Sequence, residues 1–315
     1  MEDSVVKVKH LSHRYSVQWA IRDINFEIRK KGILGLLGSN GAGKSTTMNI
    51  MCGVLNQTEG SVYINGIDLR KNPVEAKRNI GFLPQKAPLH PDLTVDEYLL
   101  HCAELRLMDK TKVRTAIEVA KEKCGITHFS KRLIRNLSGG YQQRVGIAQA
   151  IVHSPDFVVL DEPTNGLDPN QIVEVRHLIR EIAEERSVML STHILTEVQA
   201  ICQDIKMIEH GNVVFSGTIE EFNNYMDPDS FIITINNRPS VEQLKQIPGI
   251  THVEPLTDVR FRMYFKNVPD ITERVVEYSV VQDWQVSEIF LEKGSLDSVF
   301  AQLSGKNVHE EEYKI

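Results

Sequence analysis

The segment Gly38-Ser39-Asn40-Gly41-Ala42-Gly43-Lys44-Ser45 constrains this chain more than any other. It fits the pattern G-x-x-x-x-G-K-[ST] at every fixed position. Residues 32–38 before the turn are apolar and strand-sized, and residues 44–52 after it read as a helix. A strand that ends in a glycine turn and opens a helix aims consecutive N–H groups into one concavity, at the positive end of the helix dipole. That arrangement cradles phosphate. Lys44 supplies a point charge for the β- and γ-phosphates of a nucleotide, and the Ser45 hydroxyl is placed to ligate Mg2+.

The patterning around this turn is α/β. Residues 5–11 and 24–28 alternate apolar and polar, as antiparallel strands do, and 61–64 and 80–83 read as further strands. From about 92 to 153 the period is helical. Thr94 and Glu97 form a capping box for a helix over 95–107, a second helix covers 112–123, and a third runs over 141–153 up to Pro155. Strand 157–160, helix 170–185, strand 187–191, helix 194–201 and strands 205–209 and 212–216 complete an α/β unit with a helical insertion. After a linker at 225–229 the order is βαββαβ: strand 231–237, helix 240–247, strands 250–256 and 259–266, helix 270–281 and strand 284–292. That order predicts a ferredoxin-like, split-βαβ unit. A last helix over 296–303 and a mobile polar tail at 306–315 are expected beyond it.

Phe157-Val158-Val159-Leu160-Asp161-Glu162 is an apolar strand ending in two carboxylates. In an open parallel sheet the carboxyl ends of strands face the ligand crevice. Asp161 is therefore expected near Mg2+, through water, and Glu162 where it polarises an attacking water.

Composition narrows the partners. The 315 residues carry 36 Lys and Arg against 42 Asp and Glu, a net charge of −6. No nucleic acid partner is expected, because neutralising phosphates needs a Lys/Arg surplus. No apolar run approaches the roughly 18–20 residues of a membrane-spanning helix, and the first ten residues are too charged for a signal peptide. The four cysteines, at 52, 102, 124 and 202, form no CxxC pair and read as reduced, mostly buried thiols. Any membrane role must come through a partner.

Leu137-Ser138-Gly139-Gly140-Tyr141-Gln142-Gln143-Arg144 resembles the signature sequence of ATP-binding cassette (ABC) ATPases. With the phosphate loop and the Asp161-Glu162 strand, the resemblance covers about residues 5–220. It implies a P-loop NTPase core with an antiparallel β subdomain and a helical subdomain at about 88–153, within a domain over 1–226. An accessory α+β domain over 227–305 follows. It also implies roles by position. Tyr15 matches the aromatic that stacks on adenine, with an ordinary half-buried strand aromatic as the alternative. Gly38, Ser39, Asn40, Gly41, Ala42, Gly43, Lys44, Ser45 and Thr46 match the nucleotide-binding turn. Ser39 stands where many members carry proline, with little effect expected. Gln85 matches the glutamine that contacts Mg2+ and the lytic water, and His193 matches the histidine that senses the γ-phosphate. Gln85, Glu162 and His193 form the catalytic set, and Ser45, Gln85 and Asp161 the metal set. The other ten histidines read as surface or packing residues. Asp168 matches a loop that crosses a dimer interface. Leu137, Ser138, Gly139, Gly140, Tyr141 and Gln142 would act in trans, capping ATP bound to a second chain.

The cofactors so implied are ATP and Mg2+. The implied partners are a second copy or a paralogous ATPase, and a multi-span membrane permease; the chain itself is then expected to be cytoplasmic, peripheral on the cytoplasmic face of the inner or plasma membrane. The C-terminal unit and its ending Gly294-Ser295-Leu296-Asp297-Ser298-Val299-Phe300 are similar to those of ATPases from exporters of drugs, antibiotics, lipids, polysaccharides or sodium, some linked to gliding motility. That unit either senses a ligand or only enlarges and steadies the dimer. The alternative function is a soluble ABC ATPase acting as a nucleotide-dependent clamp on ribosome or DNA. The interval from Lys44 to Ser138 holds no long heptads of the DNA-repair kind.

Overall fold

The computed structural model describes residues 4–29, 31–223, 230–266, 268 and 270–292. The chain divides into two compact units, Met1–Ile219 and Glu220–Ile315. The expected boundary at 226/227, the linker at 225–229, the helix at 296–303 and the tail at 306–315 all lie outside the described residues.

In the first unit the elements follow the order β1 (Ser4–Tyr15), β2 (Gln18–Arg29), β3 (Gly32–Leu37), α1 (Lys44–Met51), β4 (Glu59–Ile64), β5 (Ile67–Asp68), α2 (Pro73–Arg78), β6 (Ile80–Leu83), α3 (Val95–Leu105), α4 (Lys110–Lys123), α5 (Gly139–Ile151), β7 (Phe157–Asp161), α6 (Pro169–Glu185), β8 (Ser187–Ser191), α7 (Leu195–Ile201), β9 (Asp204–Glu209) and β10 (Asn212–Thr218). Helix α8 (Ile219–Asn223) starts at the unit border. Strands β2-β1-β4-β5 make an antiparallel sheet. The second sheet has the order β10-β9-β3-β8-β7-β6, and only β10 is antiparallel in it. Every residue of β7 and β8 is buried, as continuous apolar strands in a covered parallel sheet must be. One core joins the two sheets through Leu11, Ile24, Leu36, Met48 and Phe157.

The helical insertion packs α3, α4 and α5 together. Thr94 and Glu97 form the expected box: Thr94 donates its N–H to Glu97 Oε2 at 2.8 Å and accepts from the Glu97 N–H at 3.3 Å. Helix α3 stops at Leu105, two residues early, because Leu107 turns to φ 55°. Helix α4 starts early because Asp109 caps it, accepting from Thr111 N–H at 2.9 Å. The buried Lys121 ammonium joins α4 to α3, donating to Asp96 at 2.6 Å and to Glu118 and Ser130 at 2.8 Å.

In the second unit, β11 (Ser230–Ile235), α9 (Val241–Leu244), β12 (Ile250–Pro255), β13 (Arg260–Phe265), α10 (Ile271–Val281) and β14 (Val286–Glu292) follow the expected βαββαβ order. The strands form an antiparallel sheet in the order β12-β13-β11-β14, the split-βαβ arrangement. Phe231, Ile233, Phe261, Met263 and Phe265 line its core. Helix α9 is one turn rather than the eight residues read from the sequence. Pro248 disfavours helix at Ile247, and Gly249 turns to φ 101°. Among the described residues no helix is long and apolar enough to cross a membrane.

Candidate nucleotide site

Strands β9, β3, β8, β7 and β6 run parallel, so their carboxyl ends share one edge of the sheet. That edge brings together Glu209, the phosphate loop, the Ser191–His193 turn, Asp161 with Glu162, and the segment leading to Gln85. In an open α/β sheet this is where ligands bind.

The phosphate loop needs glycine at two places for different reasons. Gly38 has φ 152°, and a Cβ there would lie 2.1 Å from the Ile208 carbonyl oxygen. Gly43 has φ 112°, and a Cβ would meet Ile21 at 2.6 Å. Either side chain would push the loop off the sheet. Lys44 is buried and donates to the carbonyls of Gly38 at 2.7 Å and Ser39 at 2.9 Å. Burial pulls its ammonium below the usual lysine range, while Glu162, Asp161 and Glu209 hold it up. Ser45 is exposed and Thr46 half-buried, both in the first turn of α1.

Asp161 ends β7, directly opposite Ser191 of β8. Burial pushes its carboxyl above the usual carboxylate range. The Ser191 hydroxyl works against that rise, Glu162 adds to it, and Lys44 and Ser45 oppose it. A carboxylate in that position gains from a cation. The expected metal set of Ser45, Gln85 and Asp161 offers oxygen atoms only, the donor chemistry Mg2+ takes, so the residues fit that ion.

Glu162 is buried and sits at φ 50°, in the left-handed region. For a non-glycine residue that conformation costs about 1–3 kcal/mol. Its N–H donates to the Ser191 carbonyl at 2.9 Å. His193 Nδ1 lies 2.8 Å from Glu162 Oε1. With its proton on Nδ1, the imidazole donates to the carboxylate and holds its orientation.

Tyr15 ends β1, 53% exposed as a residue, with its ring set edge-on against His13 at 4.7 Å between centroids. It is therefore open to a stacking base, unlike a packed strand aromatic. Gln85 is exposed, two residues past the end of β6. Asp168 caps α6, accepting from Gln171 N–H at 3.0 Å, in a loop whose Asn165, Gly166 and Asp168 are exposed.

The signature segment stands apart. Helix α5 runs antiparallel to β6, with Gln149 donating to Phe82 O at 2.8 Å and His153 Nε2 3.0 Å from Ile80 O. Its start at Gly139 therefore projects past the carboxyl edge of β6. Two strands, β8 and β7, separate β6 from β3. Three interstrand spacings amount to about 14 Å, so this chain does not bring its signature onto its own phosphate loop. Ser138 occupies the N-cap of α5, yet its side chain makes no capping bond. Leu137 is buried, and Gln142 Nε2 donates to Ile134 O at 3.2 Å and Leu137 O at 3.1 Å, fixing the turn. Tyr141 packs edge-on against Phe129 at 4.6 Å.

Residues 21–165 match the ABC transporter family model. The chain is 36% identical over 213 residues to the bacitracin transport ATP-binding protein BcrA of Bacillus licheniformis, covering 67% of this chain and 69% of that one. The chain belongs to the ABC transporter ATP-binding proteins. The linearmycin resistance ATP-binding protein LnrL of Bacillus subtilis is 24% identical over 311 residues, spanning 97% of this chain and all of that one (100%). The post-hydrolysis dimer of the ATP-binding cassette MJ0796, bound to ADP and Pi, superposes with a TM-score of 0.61 at 26% identity, over 68% of this chain and 98% of that one. This ABC protein is thus the ATP-binding, ATP-hydrolysing subunit of a transporter.

Two residues of this ABC subunit escaped the sequence reading. Glu209, 3% exposed, accepts from the Ser39 N–H at 3.0 Å and from the Ser39 hydroxyl. Ser39 thus holds the phosphate loop to β9, a task that its departure from proline did not disclose. The signal was present, since β9, like β7, ends in an acid at the carboxyl edge of the sheet. Glu197 is buried on α7 beside the Thr192-His193 turn. Only a charged residue next to the apolar positions Leu195, Val198 and Ile201 hinted at it.

Proposed function

We propose that this chain powers an exporter as one half of a pair, each copy completing the other's nucleotide site. One observation carries this reading: Ser138 and the free N–H groups at the start of α5 lie on the far side of the sheet edge from the phosphate loop, with no cap of their own. Such a helix start suits an anion, and the γ-phosphate held by a second chain is the anion in reach.

In this reading the phosphate loop and Lys44 hold the triphosphate, Thr46 touches the α-phosphate and Tyr15 stacks on adenine. Ser45, Gln85 and Asp161 (through water) hold Mg2+, which when bound neutralises phosphate charge. Glu162 takes a proton from the attacking water, and His193 keeps that carboxylate oriented. Leu137 to Gln142 of the partner close the site, and Asp168 lies at the junction. Hydrolysis removes the γ-phosphate that joins the two halves and so opens the pair.

Transport needs a membrane partner, and a multi-span permease is that partner here. Val54, Val74, Leu105 and Leu107, each more than 60% exposed, surround a cavity of about 390 Å³ together with Lys77 and Arg106. An exposed apolar patch of this kind supports docking of a protein partner. Export, rather than import, is supported by relatives named for bacitracin transport and linearmycin resistance. The chain would then sit at the cytoplasmic face of the membrane. Residues 1–226 would be the motor domain, and 227–305 an accessory domain that steadies the pair. A clamp on ribosome or DNA is disfavoured by the net charge of −6.

Purification of the tagged chain from detergent-solubilised membranes tests this. A multi-span protein should co-purify and be lost on Val54→Asp with Leu107→Asp. Recovery of the chain with no multi-span protein would overturn the reading.

A further inference from the structure

Glu197 is the third residue of α7 and only 2% exposed. A buried carboxylate requires partners. Here they come from three separate segments of the site. The Thr164 hydroxyl donates to Oε1 at 2.5 Å, and the Thr192 hydroxyl donates to Oε2 at 3.2 Å. The Arg176 guanidinium lies 3.7 Å from Oε1, and its buried Nε has no hydrogen-bond partner among the described residues. Thr164 follows Glu162 by two residues. Thr192 directly precedes His193. Arg176 stands on α6, the helix that Asp168 caps.

We propose that Glu197 is a positioning residue for ATP hydrolysis, one buried carboxylate that holds the Glu162 and His193 segments in register. This rests on the roles given above to Glu162 and His193. Glu197 touches neither of them and acts through two threonine hydroxyls. The Thr192 hydroxyl also accepts from the Ile194 N–H at 3.1 Å, so it bridges across His193. On the other side, Glu162 keeps a left-handed backbone that its surroundings must enforce. Its N–H is held by Ser191, Asn165 N–H donates to its carbonyl at 3.1 Å, and Leu167 N–H donates to the Thr164 carbonyl at 3.2 Å. Glu197 adds the side-chain anchor at Thr164. Arg180, donating to Ala200 O at 2.8 Å, is a second tie between α6 and α7.

Favourable interaction with the dipole of α7 does not account for this residue. An acid in the first turn serves the dipole equally well when exposed. Burial with two convergent hydroxyls serves something else: a fixed distance between the carboxylate and the imidazole of the site.

The test compares Glu197→Met, Glu197→Gln and Thr192→Val in the full chain. Methionine keeps the length of the side chain and removes both accepting oxygens, whereas glutamine keeps an acceptor and the shape. Steady-state ATPase, binding of a fluorescent ATP analogue and thermal unfolding are measured on each. Glu197→Met should lower kcat roughly 10- to 100-fold, as misplacement of reacting groups by about 1 Å does, with KM and nucleotide affinity within about threefold of the parent. Glu197→Gln should recover most of that loss. Thr192→Val should lower kcat with unchanged affinity, and it decides the matter should Glu197→Met not fold. A folded Glu197→Met, or failing that Thr192→Val, with parental kcat overturns the proposal. So does equal impairment of the methionine and glutamine variants, or a kcat loss that only tracks the folded fraction. Glu162→Gln is run alongside. Parental turnover in that variant would refute the roles of Glu162 and His193, and not the proposal for Glu197 alone.

Discussion

Ser39 and Glu209 are 170 residues apart, yet the Ser39 N–H donates to the Glu209 carboxylate at 3.0 Å and the Ser39 hydroxyl donates to the same group. This one residue supplies two donors to a buried acid that also faces Lys44. Proline at position 39 would remove both. Leaving a buried acceptor unsatisfied costs about 1–3 kcal/mol, more for a charged one. Ser39→Pro should therefore lower the thermal midpoint by several degrees and weaken ATP binding, and adding Glu209→Leu should restore part of both. Differential scanning fluorimetry with and without ATP reads both effects.

Tyr15 stands at the end of β1, half-exposed and free to meet a planar ring. Aromatic stacking on a base contributes about 1–3 kcal/mol, so Tyr15→Ala should weaken ATP affinity by roughly 5- to 150-fold. Tyr15→Trp should bind at least as well as the parent. Stacking reads a π-face and not an edge, so ATP and GTP should lose affinity alike. Fluorescence titration with both nucleotides checks this.

His153 gives the fold an acid-sensitive point. Burial, with Arg106 next, pulls its imidazole down from an ordinary 6.5 to about 4, against the bond to Ile80 O. Between those values the unfolded chain holds a proton that the native chain does not. The stability is fully present above pH 6.5 and is lost as pH falls toward 4, at no more than about 1.4 kcal/mol per pH unit. His153→Gln should flatten the fall in urea midpoint between pH 7 and pH 5 relative to the parent.

Much of this molecule was legible in the sequence because local rules and burial agree there. Strand β7 is apolar up to Asp161, β8 has an apolar centre between two serines, both are fully buried, and the Thr94 box starts α3 where its spacing says. Strand β13 falls within the range read from the sequence, and its Phe261, Met263 and Phe265 alternate onto the buried face. What could not be read comes from contacts between distant segments. The length of β1 depends on register shifts against β2 that no period announces. The one-turn α9 reflects a proline and a glycine overriding a helical pattern. The bonds of Glu209 and Glu197 join residues that only the sheet order brings together. The separation of signature and phosphate loop follows from β6 lying at the sheet edge, a fact of topology and not of spacing.

The pairing of two chains around ATP is tested most directly by sedimentation of the Glu162→Gln variant. This substitution removes the carboxylate proposed to accept the water's proton while leaving residues 38–46 and 137–142 unchanged. With ATP and Mg2+ the variant should sediment as a dimer, and it should return to monomer without nucleotide or when Ser138→Arg is added. A monomer at saturating ATP, in a variant that still binds the nucleotide, would contradict the account.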